Sequence, residues 1–121
     1  MSEDEKRVRL LLKAVIYHYH GLDELESKDL EKTATDLKAH EAFEWAMEFV
    51  RRDYLTAFER AREFLNEVIG DYPREKRVDL ISMAWDCNNL KGYITEMEAT
   101  AILKLAKDWK VEQEFVEIAL R

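Results

Sequence analysis

Little in this chain breaks a helix, and nothing in it can staple one segment to another. Its 121 residues include one proline, three glycines and one cysteine. The lone Cys87 excludes an intrachain disulfide and fits a reducing compartment. No apolar run approaches the ~20 residues a membrane-spanning helix needs. The opening Met1-Ser2-Glu3-Asp4-Glu5 is not a signal peptide, so the expected location is cytoplasmic. Positive charge is also in short supply: 19 Lys and Arg stand against 26 Asp and Glu, a formal net charge of −7. A surface of that sign repels nucleic acid and anionic membranes, which excludes both as partners. It suits cations or a basic patch on a protein partner. Self-association is left open.

What is present favours helices. Apolar residues make up 47%, enough to bury a core in one domain spanning residues 1–121. Charged residues make up 37%, mostly Glu and Lys, whose straight side chains lose little freedom in a helix. The expected fold class is all-α, a bundle of six or seven helices.

One stretch occurs twice. Shifted by 72 positions, Asp23-Glu24-Leu25-Glu26 falls on Thr95-Glu96-Met97-Glu98. Leu30 then falls on Ile102, Lys32 on Lys104, Ala34 on Ala106, Asp36 on Asp108, Lys38 on Lys110 and Phe43 on Phe115. Both copies open just after a glycine, Gly21 and Gly92, with one extra residue in the second. The register points to an internal duplication of helix–loop–helix halves, about 2–50 and 73–121, joined by a helix at about 54–69. Halves of this kind usually pack about an approximate two-fold axis.

Local signals place the elements. Ser2 with Glu5 has the form of a capping box, and Val8, Leu11, Leu12, Val15, Ile16 and Tyr19 make one helical stripe ending at Gly21. Asp23 with Glu26 is a second capping box, before a thin stripe of Leu30, Ala34 and Leu37. The apolar phase changes over residues 38–41 without Gly or Pro, so the sequence allows either two helices or one bent rod up to Val50. After Arg51-Arg52-Asp53, Tyr54, Leu55, Phe58, Ala61, Phe64, Leu65, Val68 and Ile69 predict a regular helix that stops at Gly70. Pro73 suits a first turn, and the helix after it carries Val78, Ile81, Ala84 and Trp85 before a loop-like run over residues 87–92. Thr95 with Glu98 forms the third capping box, ahead of Ile102, Leu105, Ala106 and Trp109. A last short helix over residues 111–120 turns Phe115, Ile118 and Ala119 inward.

The glycine turns gather what chemistry the chain has. His18 and His20 stand beside Asp23, Glu24 and Glu26, and Asp86, Asn88 and Asn89 precede Thr95, Glu96 and Glu98. Oxygen ligands suit calcium or magnesium, whereas imidazole suits zinc. Two histidines two apart on a helix point to different sides and do not share one ion easily. From Gly92 onward the text follows the second half of an EF-hand loop, but Lys91 puts a cation where that loop needs an oxygen ligand. No phosphate-binding glycine loop is present, nor any acid and His placed to activate Cys87, so an enzyme is not expected. Trp45, Trp85 and Trp109 at helical spacing fit core positions.

Gly92-Tyr93-Ile94-Thr95-Glu96-Met97-Glu98 resembles the turn-to-helix motif of the TerB-like family of tellurite-resistance and related proteins. Gly21-Leu22-Asp23-Glu24-Leu25-Glu26 matches the same motif with one residue deleted, and the trailing segment from Asp108 to Phe115 is similar. The resemblance implies an all-α fold with internal pseudo-symmetry, no enzymatic activity, and a role in metal-ion sensing or stress-response complexes. It also implies a divalent cation as the ligand, held by acidic residues of the two turns: here Glu26, Glu98 and Asp23. The aspartate this family places before each glycine is His20 in one turn and Lys91 in the other. A plainer role is open to the same residues, since a capping box accounts fully for Glu26 and Glu98. The competing reading of the whole chain is a structural adaptor that binds a basic protein without metal.

Overall fold

The computed structural model describes residues 1–19 and 21–121, with Lys91 described by its backbone alone. His20 and the side chain of Lys91, both raised by the sequence, lie outside the described residues. Seven α-helices follow one another: α1 (Glu3–His18), α2 (Glu24–Asp36), α3 (His40–Arg51), α4 (Ala57–Ile69), α5 (Arg74–Asn88), α6 (Glu96–Asp108) and α7 (Glu112–Ala119). A 3-10 turn, Asn89–Lys91, extends α5, and no strand occurs among the described residues. The helices divide into two compact units, Met1–Ala61 and Arg62–Arg121, with the boundary inside α4.

In the first unit α1 packs against both α2 and α3. Ser2 caps it by accepting from the Glu5 N–H at 3.1 Å. Val8, Leu11, Leu12, Val15 and Ile16 are buried as their spacing predicts, and so are Leu10, Ala14 and Tyr17. That breadth marks a central helix covered on several sides rather than an edge helix with one stripe. Tyr19 is only half-buried, its ring edge-on to Phe58 with centroids 5.5 Å apart. In the second unit α5 packs against α6 and α7, and α6 packs against α7. Its core includes Leu80, Ile81, Ala84, Ile102, Leu105, Trp109, Val111 and Phe115.

Helices α2 and α3 are separate, which answers the question the sequence left open. At the end of α2 the chain turns through Lys38 in the left-handed region, φ 52°. The Ala39 N–H donates to the Ala34 carbonyl at 2.8 Å and the Lys38 N–H to the Thr35 carbonyl at 3.1 Å. This is a Schellman end, with buried Ala39 closing on buried Ala34. The same turn recurs 72 residues on. Lys110 has φ 57°, the Val111 N–H donates to Ala106 at 2.9 Å, and the Lys110 N–H donates to Lys107 at 3.2 Å. Helices α2 and α6 are each 13 residues long, with equivalent starts and ends.

Two expected boundaries move. Tyr54 and Leu55 do not belong to α4, which begins at Ala57, and Leu55 is 97% exposed. Asp53 forms a turn by accepting from the Leu55 N–H at 3.0 Å, and the Arg60 guanidinium donates to the Phe49 and Asp53 carbonyls at 2.9 and 2.8 Å. These bonds hold residues 53–56 off the helix axis although their side chains fit its period. The run after Trp85 is not all loop: Cys87 and Asn88 are buried in the last turn of α5.

A left-handed backbone costs an L-residue about 1–2 kcal/mol. Lys38→Gly and Lys110→Gly are therefore expected to stabilise the protein by up to about 1 kcal/mol each, and Lys→Val at either place to destabilise it. Urea unfolding of the four variants checks the signs.

Candidate functional site

The first glycine turn is built on the end of α1. The His18 ring Nδ1–H donates to the Ala14 carbonyl at 2.8 Å, which leaves Nε2 as the free ring nitrogen. Its ring stacks on Tyr54, centroids 5.8 Å apart. The Gly21 N–H donates to the His18 carbonyl at 3.2 Å, and Gly21 takes φ 94°, a conformation side chains rarely adopt. The chain then enters α2 through a reciprocal capping box. Asp23 Oδ1 accepts from the Glu26 N–H at 2.8 Å, and Glu26 Oε1 accepts from the Asp23 N–H at 3.1 Å. His18, Gly21, Leu22, Met47 and Tyr54 line a hollow of roughly 540 Å³. Leu25, Tyr54 and Leu55 are exposed beside these residues in the chain.

The second glycine turn repeats the arrangement. Gly92 takes φ 83°, and its N–H donates to the Asn89 carbonyl at 2.9 Å. Glu98 Oε1 accepts from the Thr95 N–H at 3.1 Å and from the Thr95 hydroxyl at 2.8 Å, while Thr95 Oγ1 accepts from the Glu98 N–H at 3.2 Å. Asn88 Nδ2 donates to the Glu98 carbonyl at 3.4 Å. Exposed apolar residues stand here too: Leu90, Tyr93 and Met97. Leu25 and Met97 occupy equivalent places, and both are exposed.

The three residues suggested for a cation thus serve as helix caps. Glu26 is 4% exposed and Glu98 8%, each with an oxygen turned to its own helix start. Among the described residues no group of three or more His, Cys, Asp or Glu side chains is gathered as a metal ion requires. Cys87 is buried. Trp109 is core, its indole N–H donating to Asn66 Oδ1 at 2.9 Å, whereas Trp45 is half-buried under the Arg7 guanidinium.

Two polar networks have no local signature in the sequence. Asp29 Oδ2 accepts from the Tyr17 hydroxyl at 2.5 Å and from Lys13 Nζ at 2.9 Å, and Lys13 also donates to Thr33 Oγ1 at 2.8 Å. Burial works against the Asp29 charge, but hydrogen bonds from Tyr17 and Lys13 and the charges of Lys13 and Lys32 outweigh it, so its pKa is lowered. In the second unit Arg62 forks onto Asp108 at 2.5 and 3.0 Å, and Asn66 Nδ2 donates to the same carboxylate at 3.0 Å. The Arg62 hydrogen bond lowers the Asp108 pKa against the opposing effect of burial. The available signal was an acid spaced from a base on a neighbouring predicted helix, too common to single out. Both networks tie one helix to another, α1 to α2 and α4 to α6.

Comparison with protein-family models, with curated proteins and with solved structures found no match.

Both carboxyls titrate below their ordinary value of 3.8 in the folded chain. The stability they contribute is therefore complete above that value and is lost as pH falls through the lowered folded pKa values. Asp29→Asn and Asp108→Asn should each lower stability at pH 7 and flatten its decline in acid. Urea midpoints between pH 7 and pH 2.5 would show it; unchanged slopes in both variants would contradict it.

Proposed function

We propose that this chain is a non-enzymatic helical interaction module whose acidic surface holds a basic protein partner. A second part of the reading is that the module arose by doubling one capped helix–turn–helix unit. The matching left-handed turns, equal helices and equivalent capping boxes support it, as do the buried positions Val8, Leu12, Val15 and Ile16 of α1, which recur 72 residues later as Leu80, Ala84, Cys87 and Asn88 of α5. The TerB-like resemblance of residues 92–98 adds a setting in stress-response or regulatory complexes.

The observation that carries the reading is exposed apolar surface at Tyr54 of the Gly21 hollow and at residues next to its lining in the chain. A leucine 97% exposed, with Tyr54 and Leu25 also open to solvent, has no role in the core of a folded chain. Rims of this kind, next to a concavity with an aromatic wall, are where partner anchors bury themselves. The acidic charge steers a basic partner towards that surface. A divalent-cation response through Asp23, Glu26 and Glu98 would have to draw those carboxylates out of their capping boxes, at about 1 kcal/mol or more per cap.

Two measurements test this. A synthetic amphipathic helix of Lys and Leu should bind, and Tyr54→Ala with Leu55→Ser should weaken it roughly tenfold, the loss expected of an interface anchor. Leu55→Ser alone should leave stability unchanged, being a surface substitution. The melting temperature should not respond to calcium, magnesium, manganese or zinc; a rise that Glu26→Gln with Glu98→Gln abolishes would establish the cation reading instead.

A further inference from the structure

The Gly21 hollow lies wholly within the Met1–Ala61 unit, and its lining specifies more than an apolar anchor. Leu22 and Met47 give it aliphatic and thioether surface, and the stacked rings of His18 and Tyr54 give it an aromatic side. At roughly 540 Å³ it has the size of a site for a bulky organic group. His18 brings an acceptor to this lining. The Ala14 carbonyl can only accept, so Nδ1 carries the ring hydrogen and the neutral imidazole keeps its lone pair on Nε2. Among the described residues Nε2 has no hydrogen-bond partner. The other side-chain polar group of the lining is the Tyr54 hydroxyl, and Tyr54 is 59% exposed, so water can satisfy it. His18 is half-buried, and an anchor filling the hollow takes water from it.

Each kind of anchor meets that acceptor differently. Leucine or phenylalanine would fill the space and leave Nε2 covered with nothing bonded to it, which costs the desolvation of the group. Tyrosine supplies a donor but carries lone pairs on the same oxygen into apolar surroundings. Lysine or arginine brings a full charge into a lining that has no carboxylate. Tryptophan has one side-chain polar atom, an N–H that only donates, on a large ring that packs against aromatic faces and methionine sulfur. Charge beside the hollow suits basic flanks on such an anchor. The Asp, Glu, Lys and Arg residues adjoining the lining in the chain are Asp23, Glu48 and Asp53, all acids, the nearest Lys or Arg being Arg52.

We infer that the Gly21 hollow takes a tryptophan side chain of the basic partner, its indole N–H donating to His18 Nε2. The inference rests on the proposed role as an interaction module and names the anchor for that same surface. His18 selects the anchor, while Leu22, Met47 and Tyr54 supply the apolar area against which it is buried.

The test is a calorimetric titration of the full chain with three versions of the Lys–Leu helix. One is the parent helix, one has a central leucine replaced by tryptophan, and one has 3-benzothienylalanine there, whose sulfur stands in place of the indole N–H. The tryptophan helix should bind about five- to tenfold more tightly than the benzothienyl helix, the effect of one hydrogen bond to an otherwise unpaired acceptor. It should also shift the Met47 and Tyr54 amide resonances in NMR spectra. His18→Phe should make the two helices bind alike. If the tryptophan and benzothienyl helices bind the parent chain equally, the indole assignment is wrong and the interaction-module reading stands; this comparison needs no variant protein. A tryptophan preference that survives in His18→Phe, or shifts confined to residues away from the hollow, also overturns the assignment. If none of the three helices binds, both readings fall.

Discussion

The left-handed turn that ends α2 and α6 is the constraint on which each half of the chain depends. At Lys38 and at Lys110 the backbone leaves a helix, reverses, and enters the next helix within three residues. What holds the reversal is the burial of Ala39 and Val111 together with backbone bonds from their N–H groups to Ala34 and Ala106. The turn closes because small apolar residues meet across it, and that closure outweighs the steric cost of a lysine at positive φ. Once the turn is set, α2 and α3 lie against α1 in one unit, and α6 and α7 lie against α5 in the other.

The opposite ends of α2 and α6 explain the chain's most conspicuous acids. A helix start leaves backbone N–H groups without partners, and Asp23, Glu26, Thr95 and Glu98 supply them. A buried carboxylate that accepts an N–H at the start of its own helix is costly to redeploy. Outside the caps Asp29 and Asp108 join helices within their own units, and most of the other acids are exposed. The net charge of −7 therefore sits largely on exposed side chains.

Much of this was legible in the sequence. Few breakers, three capping boxes and clear 3.6-residue stripes are enough for an all-helical chain and for most helix boundaries. The Schellman turns were not legible as such, because Lys38 and Lys110 stand where glycine would be the signal; the apolar pairs Ala34 with Ala39 and Ala106 with Val111 were the trace they left. Tyr54 and Leu55 misled because periodicity registers side chains, whereas the Asp53 turn and the Arg60 clamp act on the backbone. The hollow brings together residues more than thirty positions apart, such as His18 with Tyr54, and no local pattern announces such pairs. The acids of the glycine turns were visible from the start, but their partners in the folded chain are the backbones of their own helices.

The most direct measurement is an experimental structure of the chain, with residues 23–43 laid over residues 95–115. A repeated capped helix–turn–helix unit predicts that the two backbones coincide, with Lys38 and Lys110 both at positive φ and Glu26 and Glu98 both bonded to the start of their own helix. A straight helix running through either lysine, or either glutamate turned away from its cap, would contradict it.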